Sequence, residues 1–224
     1  MGESAAQLAI SLEACANPSE AIGWLGHRKF EAVIVDLELG QQGYSILEQV
    51  RVSPRNQTAV TFTITSGSPA ATSAVKAGSN FVLQRPLSRD SIDRTFRVAY
   101  GMIVRELRRS FRCLVSVPVV VQRPGQQDIH CQTLDISEGG LGISSSLVLE
   151  SGTQVILEFA LPGNNGAFCV PAVLCWCDSN GRLGLRFLNL SSGQKSQLQN
   201  WLASRLENVL PAGVVERFRR PTST

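Results

Sequence analysis

Apolar and polar positions follow two different rhythms along the 224 residues, and the change falls near residue 108. Before it, short apolar runs at 32–37, 60–65 and 81–84, with a weaker one at 11–16, alternate with stretches of helical period at 18–26, 44–50 and 69–77. That alternation predicts a parallel α/β sheet. Asn17 is placed to cap the first helix, with Pro18 at its first position and Glu20 three residues after the cap. A long helix is predicted over 89–107, with Ile92, Phe96, Val98, Ala99, Met102, Ile103 and Leu107 on one side. After residue 112 the period shortens to two. Strands are predicted at 114–122, 129–136, 141–146, 154–160, 167–177 and 183–187, separated by turn-forming runs such as Arg123-Pro124-Gly125 and Asp178-Ser179-Asn180-Gly181. That pattern predicts a small antiparallel barrel. A closing helix over 192–207 carries Leu198, Trp201, Leu202 and Leu206. The expected organisation is therefore α/β plus all-β: an α/β domain at 1–107, a barrel domain at 108–208 and a flexible tail at 209–224.

Composition narrows the classes. Hydrophobic residues make up 43% and charged residues 17% of the chain, the profile of a folded protein. No apolar run approaches the ~20 residues that span a bilayer, so no membrane insertion is expected and the chain reads as cytoplasmic. The net charge of +3 is uneven. Residues 1–107 hold ten Lys/Arg and ten Asp/Glu, whereas residues 108–224 hold eleven and eight. This modest excess argues against DNA coating and places the positive charge in the second half. Six cysteines, at 15, 113, 131, 169, 175 and 177, fall in apolar strand-like segments and are expected as buried free thiols. Cys175 and Cys177 lack the second ligand pair that a zinc site needs, so no metal is expected.

Two runs carry candidate binding chemistry. The first, Arg108-Arg109-Ser110-Phe111-Arg112, reads R-x-x-x-R; the second, Asp135-Ile136-Ser137-Glu138-Gly139-Gly140, reads D-x-S-x-x-G. Arginine's planar fork matches phosphate oxygens and stacks on flat rings. Asp135 and Ser137, two apart on a strand, project from one face, and a carboxylate there can accept from the N–H edge of a guanine. Gly139 and Gly140 suit a sharp turn or close ligand approach. Taken singly, the basic run also reads as a solvated linker and the second as a β-turn. As a pair, in this order, they resemble the signature of the PilZ domain over roughly residues 108–208, and Gly184-Leu185-Arg186-Phe187 resembles its last strand. The resemblance implies a bacterial receptor for cyclic di-GMP, with Arg108, Arg109, Arg112, Asp135, Ser137, Gly139 and Gly140 at the ligand. It implies no other cofactor. Because Arg108 and Arg109 follow the long helix, ligand binding is expected to close them as a latch, reorient the domains and alter contacts with a downstream protein.

The first half resembles a response-regulator receiver, a flavodoxin-like domain. The matching residues are Val35-Asp36-Leu37, Thr65-Ser66-Gly67, Ala77-Gly78 and Gln84-Arg85-Pro86. The resemblance makes Asp36 a vestigial phosphoacceptor, since no acidic pair precedes Asn17 to hold Mg²⁺ and the family's lysine is Arg85 here. The incomplete receiver leaves apolar surface for a partner, expected to be a second copy of the chain in a homodimer. Only His27 and His130 are present and no nucleophile–base arrangement is recognisable, so no catalytic residue or enzyme activity is expected. The alternatives are a protein-interaction module independent of nucleotide and, behind it, a phosphorylation-controlled regulator.

Overall fold

The computed structural model describes residues 1–8, 10–145, 149–164 and 166–209. They form two units, one within residues 1–107 and one at Arg108–Val209.

In the first unit, β1 (Ala32–Asp36), β2 (Val60–Thr65) and β3 (Phe81–Gln84) form a parallel sheet in the order β1-β2-β3. Every residue of β2 is buried, as befits a central strand covered on both faces. Five helices belong to this part of the chain: α1 (Gly2–Gln7), α2 (Pro18–His27), α3 (Gln41–Val52), α4 (Ser68–Lys76) and α5 (Arg89–Ser110). Alternation along the strands feeds two apolar clusters. Phe62 and Ile64 join Leu83, Phe96 and Ile103, while Val35 joins Leu25, Ile46, Val50 and Ala74. The Asn17 cap forms as predicted, its side chain accepting from the N–H groups of Ser19 and Glu20. Arg51 ties the loops beneath the sheet together. It donates to the carbonyls of Gln57, Ala59 and Gly78 and to the side chains of Thr61 and Asn80. Burial lowers its pKa from the ordinary guanidinium value.

Three expectations for this half are corrected. Residues 11–16 form no strand; they are mostly exposed and pair with no strand among the described residues. The six-residue α1 was not expected, being too short to show a helical period. The long helix continues past Leu107 to Ser110, so Arg108 and Arg109 lie in its last turn, where cations complement the helix dipole.

The second unit is an antiparallel barrel. Its strands are β4 (Arg112–Leu114), β5 (Pro118–Gln122), β6 (Ile129–Ser137), β7 (Gly140–Ser144), β8 (Gln154–Ala160), β9 (Ala167–Cys177) and β10 (Arg182–Phe187). The order β4-β6-β5-β8-β9-β10-β7 closes through β6–β7 pairing, so six strands ring the core and β4 adds to one edge of β6. The strand expected at 114–122 is therefore two. Thr133 explains the break: its hydroxyl donates to the Val115 carbonyl (2.6 Å) and accepts from the Val117 N–H (3.0 Å), taking the place of ladder bonds. Inward residues, among them Leu141, Ile143, Leu157, Val170 and Leu185, fill the barrel, and Phe159 stacks on Phe168 and Phe187. The closing helix α6 (Ser192–Val209) buries Leu198, Trp201, Leu202 and Leu206, and Trp201 donates to the Pro162 carbonyl at 3.0 Å. The tail expected from residue 209 lies, from residue 210 on, outside the described residues. The cysteine expectation fails in part, because Cys169, Cys175 and Cys177 are exposed along β9. Among the described residues no helix is long and apolar enough to cross a membrane, and no His/Cys/Asp/Glu group could hold a metal ion.

Candidate functional site on the outer barrel face

Strand register builds a platform on the outside of the barrel. Across β4, β6, β7 and β10, Arg112 stands opposite Ser137, Ser137 opposite Gly140, and Gly140 opposite Arg186. One step along the strands, Leu114 stands opposite Asp135, Asp135 opposite Gly142, Gly142 opposite Gly184, and Gly184 opposite Trp176 of β9. Directly paired residues share a face, and the residues between them, Cys113, Ile136, Leu141 and Leu185, point into the core. The two rows thus form one outward surface. Its floor is small (Ser137, Gly140, Gly142, Gly184) and its rim large (Arg112, Leu114, Asp135, Trp176, Arg186).

Side-chain detail shows why these residue types are needed. The Asp135 carboxylate lies over Gly142, where an added Cβ would come within 2.9 Å of Oδ2. The Trp176 indole lies over Gly184, where a Cβ would sit 2.1 Å from Nε1. A register shift between Gly184 and Leu185, with Cys175 as the extra residue, brings the indole to this outer side, where Trp176 remains 46% exposed. Arg112 Nη1 pairs with Asp135 Oδ1 at 2.6 Å, with side chains 54% and 22% exposed. Leu114 beside them is 84% exposed. Inside the same strand, burial pushes the Cys113 thiol up, partly offset by the Arg205 guanidinium of α6.

The motif residues fall into distinct environments. Arg112 and Asp135 are rim groups in contact with each other. Ser137 is buried and donates to the Gly140 carbonyl at 3.0 Å, holding the β6–β7 turn. Gly140 is required by packing, since a Cβ there would lie 2.0 Å from the Leu185 carbonyl oxygen. Gly139 faces open space, and its carbonyl accepts from the Phe187 N–H. Arg108 and Arg109 are exposed on the last turn of α5. Sequence reading missed Trp176, Gly142 and Gly184 as surface components and took Arg186 only as part of a last strand. The available signal was the alternation in Gly140-Leu-Gly-Ile and Leu183-Gly-Leu-Arg, which puts glycine at outward positions of adjacent strands.

In the other unit, Asp36 ends β1. Its side chain accepts from the Glu38 N–H at 3.1 Å and forms an ion pair with Arg85, which follows β3. Thr65, at the end of the intervening strand, has a buried hydroxyl without a hydrogen-bond partner. The three sequence-matched positions therefore cluster at one end of the sheet, with the Asp36 carboxylate already neutralised by an arginine.

A closed six-stranded antiparallel barrel with an outward arginine–aspartate platform and a closing helix defines the class. Residues 106–204 match the PilZ domain family, and this segment is a PilZ domain. No curated protein matches the chain. Similar solved structures include the inhibitor of motility MotI/DgrA of Bacillus subtilis, at 22% identity and TM-score 0.38, covering 43% of this chain and 50% of that one. YcgR of Escherichia coli in complex with c-di-GMP is 26% identical with TM-score 0.37, covering 44% and 46%. The receiver domain of the Pseudomonas aeruginosa sensor histidine kinase PA1611, with a coordinated magnesium ion, is 19% identical with TM-score 0.39, covering 44% and 84%. The chain spans about half the length of the first two.

Proposed function

We propose that this chain is a cyclic di-GMP receptor, a signalling protein rather than an enzyme, and that it binds the messenger on the outer platform of its PilZ domain at 108–208. The observation that carries the reading is the pair of cross-strand rows: a low glycine–serine floor between Arg112 and Arg186 on one row, and between Asp135 and Trp176 on the other. From Asp135 on β6 to Trp176 on β9 the second row spans three strand spacings, about 14 Å, the scale of a flat cyclic dinucleotide. Guanidinium forks suit its phosphates, a carboxylate suits a guanine N–H edge, and an indole offers a stacking face. In the free protein Arg112 and Asp135 satisfy each other; the ligand replaces that pair with a phosphate for the arginine and a guanine edge for the aspartate. Arg108 and Arg109 complete the site as a latch on the continuous helix α5, whose residues belong to both units. Closure of the latch relays binding to the 1–107 domain and a downstream protein, and the functional species is a homodimer. Asp36 is not used as a phosphoacceptor.

Substituting Trp176→Ala and Arg186→Ala tests the platform. Each is expected to weaken cyclic di-GMP binding by about tenfold, the loss of one stacking or charge-assisted contact. Ligand addition should also quench indole fluorescence in the parent chain but not in Trp176→Phe. Undiminished affinity in both alanine variants contradicts this placement. The exposed Leu114 beside Asp135 favours a second reading, in which the same face docks a protein without nucleotide.

A further inference from the structure

The three-stranded sheet of the first unit leaves β1 at an edge, and that edge is built without the usual safeguards. Among the described residues β1 pairs only with β2, in parallel. Its residues Ala32-Val33-Ile34-Val35 carry no lysine, proline or bulge, the devices that blunt edge strands. The Val60 N–H donates to the Glu31 carbonyl. Along a parallel ladder the orientation alternates, so Val33 and Val35 face β2 while the N–H and C=O groups of Ala32, Ile34 and Asp36 face away. Among the described residues no backbone hydrogen bond meets the outward groups of Ala32 and Ile34, whereas Asp36 caps the 3-10 turn at Leu37–Leu39 and its carbonyl lies against Gly43. Ala32, Val33 and Ile34 are half-buried, whereas β2 beside them is wholly buried. The opposite edge, β3, is four residues long and runs directly into Arg85-Pro86, where proline has no N–H to offer.

We infer that β1 is the dimer seam: two copies join by antiparallel β1–β1 pairing with the two-fold axis at Ile34, making one six-stranded sheet. A two-fold axis requires a self-complementary strand, and this register supplies one. Ile34 presents both its N–H and C=O to Ile34 of the partner subunit. Ala32 stands opposite the partner's Asp36, so a small residue and not a like charge faces each carboxylate. Ile34 side chains then pack across the axis and complete the half-covered cluster to which Ile34 belongs. This specifies the surface of the proposed homodimer and is independent of nucleotide binding.

Sedimentation and hydrogen exchange on the unaltered chain test it together. The expected result is a dimer at about 100 µM, with exchange in the 32–36 segment slowed about tenfold relative to about 1 µM and the 81–84 segment unchanged. Ile34→Lys, which puts two charges on the axis, should be monomeric. Should that variant fold poorly, Ile34→Thr, which keeps a β-branched side chain and weakens the apolar contact across the axis, serves instead. A monomer at about 100 µM overturns the homodimer altogether. A dimer whose 32–36 exchange ignores concentration, or that survives in a folded Ile34 variant, overturns the seam alone.

Discussion

Gly139 and Gly140 are neighbours in one motif and answer to different constraints. Gly140 sits where β7 passes β10, with no room for a methyl group beside the Leu185 carbonyl, while Gly139 borders open space. Gly140→Ala should therefore cost about 1–3 kcal/mol of stability or more in urea denaturation, the scale of overpacking. Gly139→Ala should stay within about 0.5 kcal/mol, as surface substitutions do. Equal costs at the two positions would contradict this division. Ser137 shows the same separation of roles. Its hydroxyl donates to the Gly140 carbonyl across the β6–β7 turn, while its backbone stands opposite Arg112 of β4. Residue identity announced the chemistry of arginine and aspartate, because their side chains do one kind of work. It could not separate two glycines, because a glycine's reason lies in what surrounds it.

At the scale of elements, β6 organises the site. Its first half pairs β5, its second half pairs β4, and the change-over is clasped by Thr133 between Val115 and Val117. Thr133→Val keeps the shape and removes the clasp, leaving the buried Val117 N–H unpaired. A loss of about 1–3 kcal/mol is expected in denaturant unfolding, together with weaker ligand binding because β4 carries Arg112. Unchanged stability would mean the clasp is incidental. The alternation of apolar residues made six of the seven barrel strands legible at nearly their observed bounds. It could not show the break after Leu114, since Val115 and Val117 continue the alternation and only a side chain from a distant strand interrupts the ladder. For the same reason Trp176 was invisible as a surface group: regular alternation does not reveal the extra residue at Cys175 that redirects it. The absent strand at 11–16 is the complementary case, an apolar run without a neighbouring strand to pair it.

At the scale of the molecule, two units of different architecture share one helix. α5 contributes Ile92, Phe96 and Ile103 to the first unit's core and ends in Arg108 and Arg109 of the second. If those arginines close on ligand, small-angle scattering should change between free and saturated protein, and the change should vanish in Arg108→Ala/Arg109→Ala. Identical curves for the parent chain would remove the relay while leaving binding intact. In the receiver-like unit the Asp36 carboxylate is paired with Arg85. The proposed relay begins with messenger recognition by the barrel. Calorimetric titration of the whole chain with cyclic di-GMP, beside linear pGpG, GTP and the Arg112→Ala variant, tests it most directly. Micromolar or tighter binding of cyclic di-GMP alone is expected, on the order of −8 kcal/mol, with its loss in the variant. No heat with cyclic di-GMP at high micromolar concentration, with an unchanged melting temperature, would contradict it.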